Sequence, residues 1–168
     1  MADILDYTQL TAPAAEDAMY IVDDPSGTPI DKYVLIQDMD KAVDKTVEMV
    51  LLTTSTALTT GDNFASIYFT VPELLDGRTL IDADFALAGA STSGLPTFQI
   101  YNVTDSIDIL STLVTIDINE LTSYTAATPA VVSTSGASVS TGDMLRFDCD
   151  ANGSTGALGC TAILKFRK

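Results

Sequence analysis

The sequence contains no histidine and no tryptophan. The commonest general base and metal ligand is therefore missing, and with it any Ser-His-Asp or Cys-His arrangement. Basic residues are scarce, 8 against 23 acidic ones, and the formal net charge is −15. A chain with this balance is repelled by phosphate-rich surfaces, so nucleic acid and anionic lipid are poor partners. Long apolar runs are also lacking. Hydrophobic residues make up 46% of the sequence, but uninterrupted stretches stay far below the roughly 20 residues of a membrane helix. The start, Met1-Ala-Asp-Ile-Leu-Asp6, has neither the basic residues nor the apolar core of a secretory signal, which predicts folding in a cytoplasm. There are only two cysteines, Cys149 and Cys160. Their spacing fits no zinc or thioredoxin-type pair, and a cytosolic origin favours free thiols. The alternative is a cross-strand disulfide, if the last two strands form a hairpin with both residues on its apolar face.

What is present divides into three parts. Residues 1–33 carry Pro13, Pro25 and Pro29 and the turn-like Asp24-Pro25-Ser26-Gly27, and read as an extended arm with a short strand over Ala18 to Val22. Its aliphatic and aromatic residues are too many for an ordinary disordered tail, so it is expected to order by packing onto something else. Over residues 34–50, Ile36, Met39, Val43, Thr46 and Val50 recur at alternating steps of three and four. That is a heptad seam, and it predicts a helix buried either against its own β domain or as a neck joining several chains. The neck is preferred because it separates two segments of different composition.

Residues 51–168 turn to strand chemistry: short runs of Thr, Val, Ile and aromatic residues cut by Gly, Pro, Asp and Asn. The runs fall near 49–57, 64–71, 79–88, 95–103, 109–118, 129–134, 143–149 and 159–167. In the last, Cys160, Ala162, Leu164 and Phe166 alternate with more polar neighbours, giving one apolar face. No helix-length pattern interrupts these runs, so the expected class is mainly β, a jelly-roll-like β-sandwich head preceded by the arm and a short coiled-coil helix.

Several constellations could carry chemistry. Asp148-x-Asp150-x-Asn152-Gly153 matches the opening of an EF-hand-type calcium loop, but its twelfth position is Gly159 where a glutamate is required. The same residues suit a hairpin turn. Carboxylate pairs such as Asp82 with Asp84 and Asp105 with Asp108 are of the kind that cleaves glycosidic bonds, yet in so acidic a chain close pairs arise from composition. Tyr68, Tyr101 and Tyr124 are aromatics that could stack on sugars or pack within strands. No catalytic residue and no cofactor is expected.

Two stretches are familiar. Asp17-Ala-Met-Tyr-Ile-Val-Asp-Asp-Pro-Ser-Gly-Thr28, followed by Ile30-Asp-Lys-Tyr-Val-Leu-Ile36, resembles a linker-and-neck signature of tailed-phage fibre and structural proteins. Phe98-Gln-Ile-Tyr-Asn-Val-Thr104, the run from Leu110 to Thr125, and Gly142-Asp-Met-Leu-Arg-Phe-Asp148 resemble the jelly-roll heads of phage virion proteins. The resemblance implies a homotrimer. It also implies a capsid decoration (cement or head-fibre) protein at the virion surface, made in the host bacterial cytoplasm and contacting the major capsid protein. Tyr7, Leu10, Tyr20 and Val22 are the expected capsid anchor, and Ile36, Met39, Val43, Val47 and Val50 the expected trimer contact. The alternative is a tail-fibre module that recognises host surface glycan or protein through loops 89–94, 104–108 and 150–158.

Overall fold

The computed structural model describes residues 18–23, 30–35, 43–153 and 156–168. The chain divides into two compact units, residues 1–43 and residues 44–168. In the first unit, β1 (Ala18–Asp23) pairs antiparallel with β2 (Ile30–Leu35), which sets Tyr20 opposite Tyr33 and Val22 opposite Asp31. The strand expected over Ala18 to Val22 is present; the turn expected at Asp24 to Gly27 lies outside the described residues.

The second unit begins with β3 (Lys45–Ala57), and here the sequence expectation is corrected. Residues 45–50 of the expected helix are strand, residues 34 and 35 close β2, and residues 36–42 lie outside the described residues. The physical reason is a competing period of two. Val47, Met49 and Leu51 turn inward, while Thr46, Glu48 and Val50 turn outward. Threonine and valine, branched at Cβ, favour the pleated surface over the helix.

The remaining strands are β4 (Tyr68–Thr70), β5 (Arg78–Ala86), β6 (Pro96–Asn102), β7 (Ile107–Asp108), β8 (Leu110–Thr112), β9 (Val114–Thr115), β10 (Val131–Val132), β11 (Ser138–Val139), β12 (Met144–Asn152) and β13 (Leu158–Arg167). One sheet has the order β11-β5-β13-β3. The other runs β4-β12-β6-β7, with β9 also on β6, and β8 and β10 form a separate pair. All pairings are antiparallel. Each of the eight runs expected from composition overlaps at least one of these strands. The chain is mainly β, as expected.

The two larger sheets share one core. From the first sheet come Leu51, Leu80, Phe85, Ala162, Leu164 and Phe166; the second contributes Phe98, Ile100, Leu145 and Phe147. Phe85 stacks on Phe98 and meets Phe147 edge-on, so aromatic contacts join the sheets at their middle.

β12 and β13 are consecutive in the chain but do not pair with each other: β12 lies between β4 and β6, and β13 between β5 and β3. The hairpin expected for Cys149 and Cys160 therefore does not form. Both cysteines are buried and free, one on each sheet. The start of β13 is tightly packed, because a Cβ on Gly159, at φ +63°, would lie 2.9 Å from Ala88 Cβ and 3.1 Å from Thr54 Cα.

Candidate functional site

The described surface has its most site-like feature on the outer side of β5. Strand alternation turns Ala83 and Phe85 into the core and leaves Asp82 and Asp84 facing outward together. A segment 121–125 runs beside this strand: Leu87 N–H donates to Leu121 O at 2.8 Å, and Ala86 bridges Thr122. The segment ends in a 3₁₀ turn, Ser123–Thr125, which sets a buried serine next to an exposed tyrosine.

Ser123 locks the arrangement. Its hydroxyl donates to Asp84 Oδ1 at 2.6 Å and accepts from Phe85 N–H at 3.0 Å. Burial pushes the Asp84 carboxyl above the usual carboxylate range; the Ser123 hydrogen bond offsets part of that rise, and the charge of Asp82 adds to it. Tyr124 stays 64% exposed at the rim. A groove of about 210 Å³ lies over these residues, with Val114, Ala126 and Pro129 supplying an apolar side. It adjoins a second depression of about 250 Å³ that also touches Asp82, Asp84 and Tyr124 and reaches Ile163 and Lys165. Lys165 is opposite Asp82 across the strands, yet its ammonium lies against Asp44 at 3.3 Å.

A second polar cluster sits on the outer side of the other sheet, centred on Arg146. Its Nη2 donates to Asp148 Oδ2 at 2.8 Å and lies 3.1 Å from Asp62 Oδ2. The guanidinium covers the Tyr101 ring at 4.5 Å, and Tyr68 is its cross-strand neighbour on the far side. Asp148 is nearly fully buried, and its Oδ1 accepts the Asn63 N–H at 2.8 Å. This is a locked ion pair on a strand, with both carboxylate oxygens engaged.

Neither a protein-family model nor a curated protein matches this chain. The residues themselves must carry the functional reading.

Of the calcium candidates, Asp148, Asp150 and Asn152 all lie in β12 rather than in a loop. Asp148 serves Arg146, and Asn152 Nδ2 donates to Leu58 O at 3.2 Å. Burial raises the Asp150 carboxyl above its usual range, and the charges of Asp148, Asp62 and Asp108 raise it further. Among the described residues no group of three or more His, Cys, Asp or Glu side chains is placed to hold a metal.

The anchor candidates Tyr7 and Leu10 lie outside the described residues, and Tyr20 and Val22 are in β1. Of the trimer candidates, Ile36 and Met39 lie outside the described residues. Val47 faces inward in β3, whereas Val43 and Val50 are exposed by 55% and 64%. The three candidate contact loops do not share one surface. Loop 89–94 and the described residues of 150–158 meet at one end of β6, where Gly89 bridges Leu158 and a Cβ on Gly153 would collide with Ser91 Oγ. Loop 104–108 is at the other end, where Thr104 Oγ1 accepts the Met144 N–H and Asn102 Nδ2 joins Asp105 to Asp143.

Ser123 is the site residue that sequence reasoning did not reach. It sits in a run of serine and threonine with no motif around it, and its partners are 38 and 39 positions away.

Proposed function

We propose that this chain is a structural protein of a tailed-phage virion: a homotrimer attached to the capsid through its N-terminal arm, with its β domains displayed outward to reinforce the shell. The observation that carries this reading is the strand order. With β9, which also pairs with β6, and the separate β8–β10 pair set aside, the strands of the two larger sheets number in chain order β3, β4, β5, β6, β7, β11, β12 and β13, and one sheet holds the sixth, third, eighth and first. The other holds the second, seventh, fourth and fifth. Two Greek keys folded into facing sheets give this alternation, which supports a jelly-roll head. That is the head type of the virion proteins the sequence resembles.

In this reading the function is mechanical. Arms from several chains gripping the major capsid protein combine their affinities through effective concentration. The proposal assigns no reaction, cofactor, nucleic acid or membrane to the chain. Copies meet through the outward side of β3, where Val50 is an exposed apolar residue within the strand. Light scattering on the purified chain tests the assembly. The expected mass is three times the 17.7 kDa chain, falling to one chain in Val50→Arg. A monomer in the unsubstituted protein at every concentration contradicts the trimer.

One observation favours a second reading, a tail-fibre module that recognises host glycan. It is the groove beside Asp82, Asp84 and Tyr124, which a purely mechanical head does not need.

A further inference from the structure

We infer that the groove between β5 and the 121–125 segment is a binding site for an uncharged saccharide. The inference rests on the groove of the second reading and gives it a ligand class.

The polar lining defines what a ligand must bring. The Ser123 hydroxyl proton is already given to Asp84. What faces the groove is chiefly acceptor: Asp82, the free oxygen of Asp84, and Thr115. No ion pair engages Asp82 or Asp84 among the described residues, although Lys165 is cross-strand from Asp82; that ammonium turns to Asp44 instead. A ligand rich in hydroxyl donors satisfies such carboxylates, and adjacent hydroxyls on a pyranose ring can share one carboxylate.

The apolar lining defines its shape. Tyr124 presents an exposed ring at the junction of the two depressions, with Ala126 and Pro129 beside it in the first and Ile163 in the second. A tyrosine face with a polar rim accommodates the C–H face of a sugar while leaving its hydroxyls to the carboxylates. Each depression, at about 210 and 250 Å³, is smaller than the about 300–1,000 Å³ of sites for drug-sized molecules, a scale suited to one ring in each.

Charge narrows the class. Acidic sugars are repelled by Asp82, Asp84 and the net charge of −15. Beyond the two carboxylates, the second depression is lined by Thr46, Tyr124, Ile163 and a Lys165 whose ammonium is already neutralised by Asp44, so no further carboxylate there calls for a cation. The site is preorganised, because Asp84 is held by a buried serine that is itself held by the Phe85 amide.

Calorimetric titration with three sets of oligosaccharides tests the site: neutral hexose oligomers, uronic-acid oligomers and glucosamine oligomers. The full chain is compared with Tyr124→Ala, Asp84→Asn and the opposite-sheet control Tyr68→Ala, each first shown to be folded by its thermal transition. A neutral oligomer is expected to bind, with affinity falling at least about tenfold in Tyr124→Ala and Asp84→Asn and unchanged in Tyr68→Ala. Three results overturn the inference: no neutral oligomer binds, binding survives both substitutions, or only glucosamine oligomers bind and salt abolishes it. The titration does not depend on where the chain sits on a particle, so its failure leaves the virion reading to its own test.

Discussion

Phe85 and Phe98 stack face to face between the two sheets, with ring centroids 4.4 Å apart and planes 3° apart. Both rings are fully buried. Phe85→Ala removes this contact and the edge contact with Phe147, leaving a cavity where the sheets meet. The expected loss is about 3–5 kcal/mol, read from chemical denaturation as a lower midpoint at an unchanged slope.

Arg146 is the only basic partner of Asp148 among the described residues. Arg146→Met leaves the buried Asp148 carboxylate without its cation. Breaking a buried pair costs about 3–5 kcal/mol, and the 22% exposure of the arginine side chain points to the lower end, about 3 kcal/mol. A denaturation curve superimposable on that of the unsubstituted chain would contradict this.

The Arg167 guanidinium beside Asp44 holds its carboxyl down at about 2, from an ordinary 3.8; burial opposes this, and Lys165 adds to it. A carboxyl depressed on folding stabilises the fold above its unfolded value and loses that contribution as pH falls through the folded one. The melting temperature of Asp44→Asn should therefore lie below that of the native chain above 3.8, and the two should converge as pH approaches about 2. A gap that persists in acid contradicts the assignment.

Burial pushes the Cys149 thiol up to about 12, and the nearby charge of Asp150 adds to the shift; burial raises Cys160 further still. Neither presents a thiolate at neutral pH. Both should resist a thiol-specific reagent in the native protein and react together on unfolding. Fast labelling of one cysteine under native conditions would mark a local opening between β12 and β13.

Much of the fold was legible because strand alternation is a local signal. The faces of β12 and β13 follow directly from Leu145, Phe147 and Cys149 and from Cys160, Ala162, Leu164 and Phe166. Their separation onto different sheets was not legible, since two apolar-faced runs joined by Asn152-Gly153 look like a hairpin whether or not the chain crosses over. At residues 43–50 two periods overlap. Val43, Thr46 and Val50 satisfy a heptad while Val47, Met49 and Leu51 satisfy a strand, and the β-branched Thr46, Val47 and Val50 favour the strand. The groove was legible in part. Asp82, Asp84 and Tyr124 have the residue types of a sugar site, but only the docking of segment 121–125 along β5 brings them together, and that docking depends on backbone hydrogen bonds that leave no trace in sequence.

The virion assignment is tested most directly by gold-labelled antibody against this chain on purified phage particles under the electron microscope. Label distributed over the capsid shell is the predicted result, and label restricted to the tail transfers the assignment to the host-recognition reading. Particles that carry no label, with the chain left entirely in the soluble fraction of the lysate, would contradict a structural role in the virion.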